Sequence, residues 1–182
     1  ANGAKPFGVS GVMVVCNSFV KFSNAYTDRD GYYSMEKAFS TDVRYRLVFK
    51  NEKGFGIGLN LILLPASVST LGKAGPDGVT MTITEDSDEK LFKRCVVNNA
   101  AYDYYSRCVT GDMGIAAPPS DLRIWLFYNL EASSAVMLHH GTILESDLIG
   151  KYLGIYTDLI RVFLPDITLG VKGKDSYRDL YD

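Results

Sequence analysis

Val43-Arg44-Tyr45-Arg46-Leu47-Val48-Phe49 sets apolar residues at alternate positions with arginines between them. A period of two puts Val43, Tyr45, Leu47 and Phe49 on one face of a strand and the two arginines on the other, so one face is core and the other wet. Toward the N-terminus, Val12, Val14 and Cys16 alternate in the same way, and so do Val20 and Phe22. Thr27-Asp28-Arg29-Asp30-Gly31, leading into Tyr32-Tyr33, reads as a turn between two further strands, with Gly31 supplying a positive φ. Toward the C-terminus, Asn51-Glu52-Lys53-Gly54 reads as another turn. Beyond it Phe55, Ile57, Leu59, Leu61 and Leu63 resume the pattern with Gly56, Gly58 and Asn60 between them, which predicts a long hairpin. Short strands at this spacing predict a small antiparallel β-sandwich.

Pro65 to Gly78, rich in Ser, Gly and Pro, reads as a linker or long loop. Val79 to Thr84 can form one more strand, so a first unit of residues 1–78 has a boundary anywhere between 65 and 85. The period then becomes helical. Asp86 or Ser87 can cap the start, Asp88 and Glu89 complement the helix dipole, and Leu91, Cys95, Asn98 or Asn99, Tyr102 and Tyr105 mark one face as far as Cys108. The Tyr and Asn content of that helix predicts a half-polar seam whose phenols and amides find partners under other elements.

After Pro118-Pro119, Leu122 to Tyr128 reads as a strand in the middle of a covered sheet, because it is apolar on nearly both faces. Thr142 and Glu145 have capping-box spacing before a helix with an apolar stripe at Leu148, Tyr152, Ile155, Leu159 and Val162. Leu164-Pro165 ends it. A strand over Ile167 to Val171 follows, then a helix opened by Ser176 and Asp179 that runs out of sequence at Asp182 without a C-cap. The second unit, 79–182, is therefore expected to be mixed α and β and to be the opening part of something longer. The fold class is α+β.

A 47% apolar content over 182 residues suffices for a real core, and a formal charge of -2 with interspersed signs argues against a nucleic-acid surface. Lys21, Arg44, Arg46 and Lys50 read as solvated charges on strand faces. No apolar run reaches the ~20 residues of a membrane span. Cys16, Cys95 and Cys108 show no CxxC spacing. If Cys95 and Cys108 share one helix they stand roughly 20 Å apart, beyond the ~7 Å limit for a disulfide. Buried thiols are expected, with a bridge from Cys16 to either left open.

None of the short motifs carries chemistry of its own. His139 and His140 are adjacent, so the backbone sends them in different directions and they do not easily share a metal. Asp28-x-Asp30-Gly31 shares the opening of a calcium loop but lacks its third acidic position and its terminal Glu, so a turn is expected. Gly54-Phe55-Gly56-Ile57-Gly58 is not a dinucleotide fingerprint, and its glycines are expected to let the sheet twist or another backbone approach. Glu85, Asp86, Asp88 and Glu89 fit a helix N-terminus better than a carboxylate pair. Tyr32, Tyr33, Tyr104 and Tyr105 can stack on sugars but suit a core or seam.

Gly8-Val9-Ser10-Gly11-Val12, Ala25-Tyr26-Thr27-Asp28-Arg29-Asp30-Gly31-Tyr32-Tyr33 and Tyr45-Arg46-Leu47-Val48-Phe49 together resemble the carboxypeptidase regulatory-like, transthyretin-like sandwich of exported Bacteroidetes proteins. Three later stretches, residues 95–104, 118–125 and 165–169, resemble the upstream half of zinc metallopeptidases found as surface lipoproteins in the same bacteria. The resemblance implies a zincin-like second unit in which a strand of the Ile167 type precedes the helix that bears HExxH. An edge strand there can pair with extended peptide, so Ile167, Thr168, Leu169 and Gly170 are the candidate substrate-lining residues. It also implies export to the cell surface or periplasm with a lipid anchor upstream, and a peptide or protein substrate for the longer parent. Zinc is expected only in that parent, since this sequence contains no HExxH. The chain itself is then non-catalytic, with a structural or substrate-presenting role. The competing expectation is a non-enzymatic surface module that binds glycan or peptide.

Overall fold

The computed structural model describes residues 7–58, 66–133, 165–174 and 176–181. Among these residues the chain forms β1 (Met13–Ser18), β2 (Lys21–Tyr26), β3 (Val43–Val48), β4 (Gly56–Ile57), β5 (Val68–Ala74), α1 (Glu89–Thr110), β6 (Arg123–Phe127), β7 (Ile167–Gly170) and α2 (Tyr177–Tyr181). The fold is mixed α and β, with an antiparallel sheet of order β2-β1-β3-β5 and a parallel one of order β4-β6-β7. The capping-box helix expected over residues 142–162 lies outside the described residues, as do His139, His140, Leu59, Leu61 and Leu63.

The alternating β3 stretch buries Val43, Tyr45 and Leu47 and leaves Arg44 exposed, as its period requires. Val14 and Cys16 on β1 face the same way. Val20 and Phe22 do not: both are exposed, and Ser23 is the β2 residue turned inward. The reason is register. A two-residue turn at Phe19-Val20 pairs Ser18 with Lys21, which sets Ser23 opposite buried Cys16 and Phe22 opposite Asn17.

The expected linker is in large part a strand. Residues 68–74 form β5, antiparallel to β3, with Val43 opposite Ala74 and Val48 opposite Val68. Its Ser, Thr, Gly and Lys residues suit an outer strand that is half-exposed along its length. The register skips Leu71 between Tyr45↔Gly72 and Arg46↔Thr70, a bulge of the kind that bends a sheet edge.

Of the expected hairpin the turn and its first return residues are described, and Leu59 to Leu63 lie outside the described residues. The Asn51–Gly54 turn forms, with Asn51 N–H donating to Phe55 O at 2.9 Å and Gly54 N–H to Asn51 O at 2.9 Å. Gly54 has a φ of 92°, and a Cβ on it would overlap the Ser120 carbonyl, so glycine is required there by both conformation and close approach. Among the described residues beyond the turn, Gly56 and Ile57 form β4, which bridges antiparallel to Lys50 and pairs in parallel with β6, and both are buried. Phe49 bridges the two sheets: its N–H donates to Ser67 O at 2.9 Å, its carbonyl accepts from Ile57 N–H at 2.9 Å, and Ser67 N–H donates to Ile57 O at 3.0 Å.

β6 lies between β4 and β7, the covered position its apolar sequence predicts. α1 is capped by Asp88, one or two residues later than expected, its carboxylate accepting from Leu91 N–H at 2.9 Å. Ser87 instead folds back on Thr84. Gly111, with φ 82°, ends the helix by donating to Cys108 O. From Lys93 to Asn99 every residue but Arg94 is buried, so α1 is enclosed on most sides in its N-terminal half. One cluster of buried residues runs from Val12 and Val14 through Leu47 and Phe49 to Leu91, Cys95, Ile124 and Val171.

Candidate functional site

The half-polar seam of α1 is where the chain gathers its polar contacts. Asn99 accepts from Ser10 N–H at 2.9 Å and donates through Nδ2 to Gly8 O at 2.7 Å, while Asn98 Nδ2 donates to Ser10 O at 2.7 Å. Two adjacent amides thus hold the segment entering β1 as a neighbouring strand would. Asn99 also reaches the Tyr177 hydroxyl at 3.5 Å, and Tyr177 stacks on Phe7 with ring centroids 4.4 Å apart. Lower on α1, Asp103 accepts from the Tyr181 hydroxyl at 2.5 Å. α2 opens at Ser176, whose Oγ accepts from Asp179 N–H at 3.1 Å and donates to the Asp179 carboxylate at 2.7 Å.

Beside this junction lies a cavity of about 930 Å³. Its walls are residues 30–35, 37 and 38, residues 76–84, Phe92, Cys95, Val96 and Asn99 of α1, and Tyr177 with Phe7. One wall is the span from Val79 to Thr84. The Tyr33 hydroxyl accepts from Val79 N–H at 3.0 Å and lies 3.3 Å from Val79 O, fixing one end. Thr84 fixes the other, its N–H donating to Ser87 Oγ at 3.0 Å and its carbonyl accepting from Asp88 N–H at 3.1 Å. Between those anchors the chain runs without turn or bend, and among the described residues the N–H and C=O groups of Thr80, Met81, Thr82 and Ile83 have no hydrogen-bond partner. The strand expected over Val79 to Thr84 is thus not paired there, although its sequence alternates.

Among the described residues the cavity is lined by one cysteine, Cys95. Burial pushes the Cys95 thiol up to about 12, so it is held as a neutral thiol and not as a nucleophile. Burial also raises the phenols of Tyr45 and Tyr177. The three cysteines are free and buried, which closes the open question of a bridge from Cys16. Asp28 builds the expected turn, its carboxylate accepting from Asp30 N–H and Tyr32 N–H at 2.9 Å each, but the strand expected to follow at Tyr32-Tyr33 does not form, residues 31–42 being irregular. Of the acidic group, Asp88 is the helix cap and Glu89 pairs at 2.7 Å with Lys93. Of the four tyrosines, Tyr33 and Tyr105 are seam residues, Tyr105 meeting Phe55 edge-on, Tyr104 is half-buried, and Tyr32 is exposed.

The candidate substrate-lining residues Ile167, Thr168, Leu169 and Gly170 form β7, the last strand in the parallel sheet's order. Ile167 and Leu169 pack against the core. The Gly170 amide donates to Ser133 Oγ at 3.2 Å, and a Cβ there would overlap the carbonyls of Leu130 and Ala132. A peptide laid along β7 would therefore meet the 130–133 backbone at Gly170. The structure brings these residues together as one strand but sets them apart from the cavity. Sequence reading passed over Thr80–Ile83 as a binding wall, although the alternation of Thr with Met81 and Ile83 was its signal.

Among the described residues no three His, Cys, Asp or Glu side chains are grouped so as to hold one metal ion, and no helix is long and apolar enough to cross a membrane. No family model matches the chain, and no curated protein or solved structure is significantly similar to it.

Proposed function

We propose that this chain is a non-catalytic, substrate-presenting portion of an exported zinc-dependent peptidase, with a transthyretin-like sandwich unit leading into a zincin-like one. The observation that carries this reading is the strand–turn–helix succession at β7 and α2. β7 is paired in parallel with β6, the chain turns at residues 172–173, Ser176 caps α2, and Tyr177 and Tyr181 dock it onto α1. The family resembled by the sequence has its zinc-binding helix in this order after such a strand. The antiparallel sheet with the Asp28–Tyr32 turn supports the sandwich half. The described residues hold no ligand set that fits zinc, so no chemical step is assigned to this chain.

The test is to express the complete reading frame and residues 1–182 in parallel, and to measure zinc content and cleavage of a quenched fluorogenic peptide. Stoichiometric zinc and cleavage in the complete product alone are expected. Absence of both from the complete product would refute the proposal. The cavity of about 930 Å³ favours a second reading, a surface module that binds glycan or peptide. It predicts binding by the complete product without zinc or cleavage.

A further inference from the structure

We infer that Thr80-Met81-Thr82-Ile83 is a docking edge at which an extended polypeptide pairs, backbone to backbone, inside the cavity. Four consecutive residues there carry N–H and C=O groups that no described residue engages, although each end of the span is tied down by hydrogen bonds. An exposed run of that kind is a template for a further strand. Its composition agrees: Val79, Met81 and Ile83 alternate with Thr80, Thr82 and Thr84, a period-two, β-branched pattern. The residues have the alternation of a strand, and none of them has a positive φ.

The occupant follows from the same groups. At ~3.3 Å per residue, four residues turn an N–H and a C=O to the same side at every second position, where an extended peptide can match them. A glycan would need a platform of exposed rings, and of the cavity's tyrosines Tyr33 is committed to Val79 while Tyr32 alone is fully presented at 74% exposure. A volume of about 930 Å³ falls at the upper end of the ~300–1,000 Å³ typical of ligand sites. Asp30, Asp77 and Lys37 put both signs of charge in the lining, which selects for no strongly charged ligand. This deepens the substrate-presenting reading, and because its readout is binding by residues 1–182, it can fail while the zinc and cleavage test succeeds, or the reverse.

The experiment is hydrogen–deuterium exchange on residues 1–182 with a pool of random, end-blocked ten-residue peptides. Amides of Thr80–Ile83 should exchange fast in the free protein, and one alternate pair of them, Thr80 with Thr82 or Met81 with Ile83, at least about tenfold slower with the pool. The same pool N-methylated at every residue should give no protection. Successive amides of a strand point to opposite sides, so one of Met81→Pro and Thr82→Pro should weaken binding by about tenfold and the other should not. No protection at these residues, equal protection by the N-methylated pool, or protection by a β-linked glucose hexamer in place of peptide would each overturn the inference. If the proline variants do not fold, the N-methylated pool still decides it.

Discussion

The phenol of Tyr181 donates to Asp103 at 2.5 Å, and burial together with that carboxylate pushes its pKa up to about 12. The sign is that of an acid held in its neutral form. The contribution of the contact is whole below the ordinary tyrosine value of about 10 and is lost as pH rises from there through about 12. In an absorbance titration of the tyrosinate band, Tyr181→Phe should remove one late-titrating phenol, and Asp103→Asn should move that titration to lower pH. An identical curve for wild type and Tyr181→Phe would contradict the contact. Lys93 is the other decisive single residue. Its ammonium, with the side chain 1% exposed, donates to Glu89 at 2.7 Å and to Val171 O at 3.0 Å, so it fastens α1 to the end of β7. Lys93→Met should cost about 1–3 kcal/mol in urea unfolding. Glu89→Gln should cost less than about 1 kcal/mol, because Glu89 is half-exposed and its half of the pair is screened.

At the scale of elements, α1 is stabilised at its start by Asp88 and along its seam by Asn98 and Asn99. Asp88→Ala should lower stability by about 1 kcal/mol, while Asp86→Ala and Ser87→Ala should have smaller effects. Asn99→Ala removes the bonds to Ser10 and Gly8, so exchange of the Ser10 amide should accelerate with β1 and β3 little changed. The alternation of β3, the covered position of β6, the Asp28 turn and the polar seam of α1 were legible in sequence because each depends on local period or turn chemistry. Three features were not. The inward face of β2 depends on a two-residue turn that shifts its register; β5 is an outer strand whose Ser, Thr and Gly look like loop; and β4 pairs with distant β6 as well as bridging Lys50. Each is settled by pairing between distant segments, which local composition does not encode. The site was legible only in part: β7 was read as a strand, but the cavity wall at Thr80–Ile83 needed the anchors at Tyr33 and Ser87 to become visible.

For the molecule as a whole, the buried cluster is continuous from β1 and β3 across residue 78 into α1, β6 and Val171. A shared core of this kind predicts a single calorimetric transition for residues 1–182; two resolved transitions would favour independent units divided near residue 78. The functional account makes a joint demand on the same polypeptide, that it hold peptide and leave it intact. The most direct measurement is to incubate residues 1–182 with the random peptide pool, recover the complex by size exclusion, and read the peptides by mass spectrometry. The account predicts co-eluting peptides at full length. Peptides cut in the presence of this chain, or a pool that never co-elutes with it, would contradict the account.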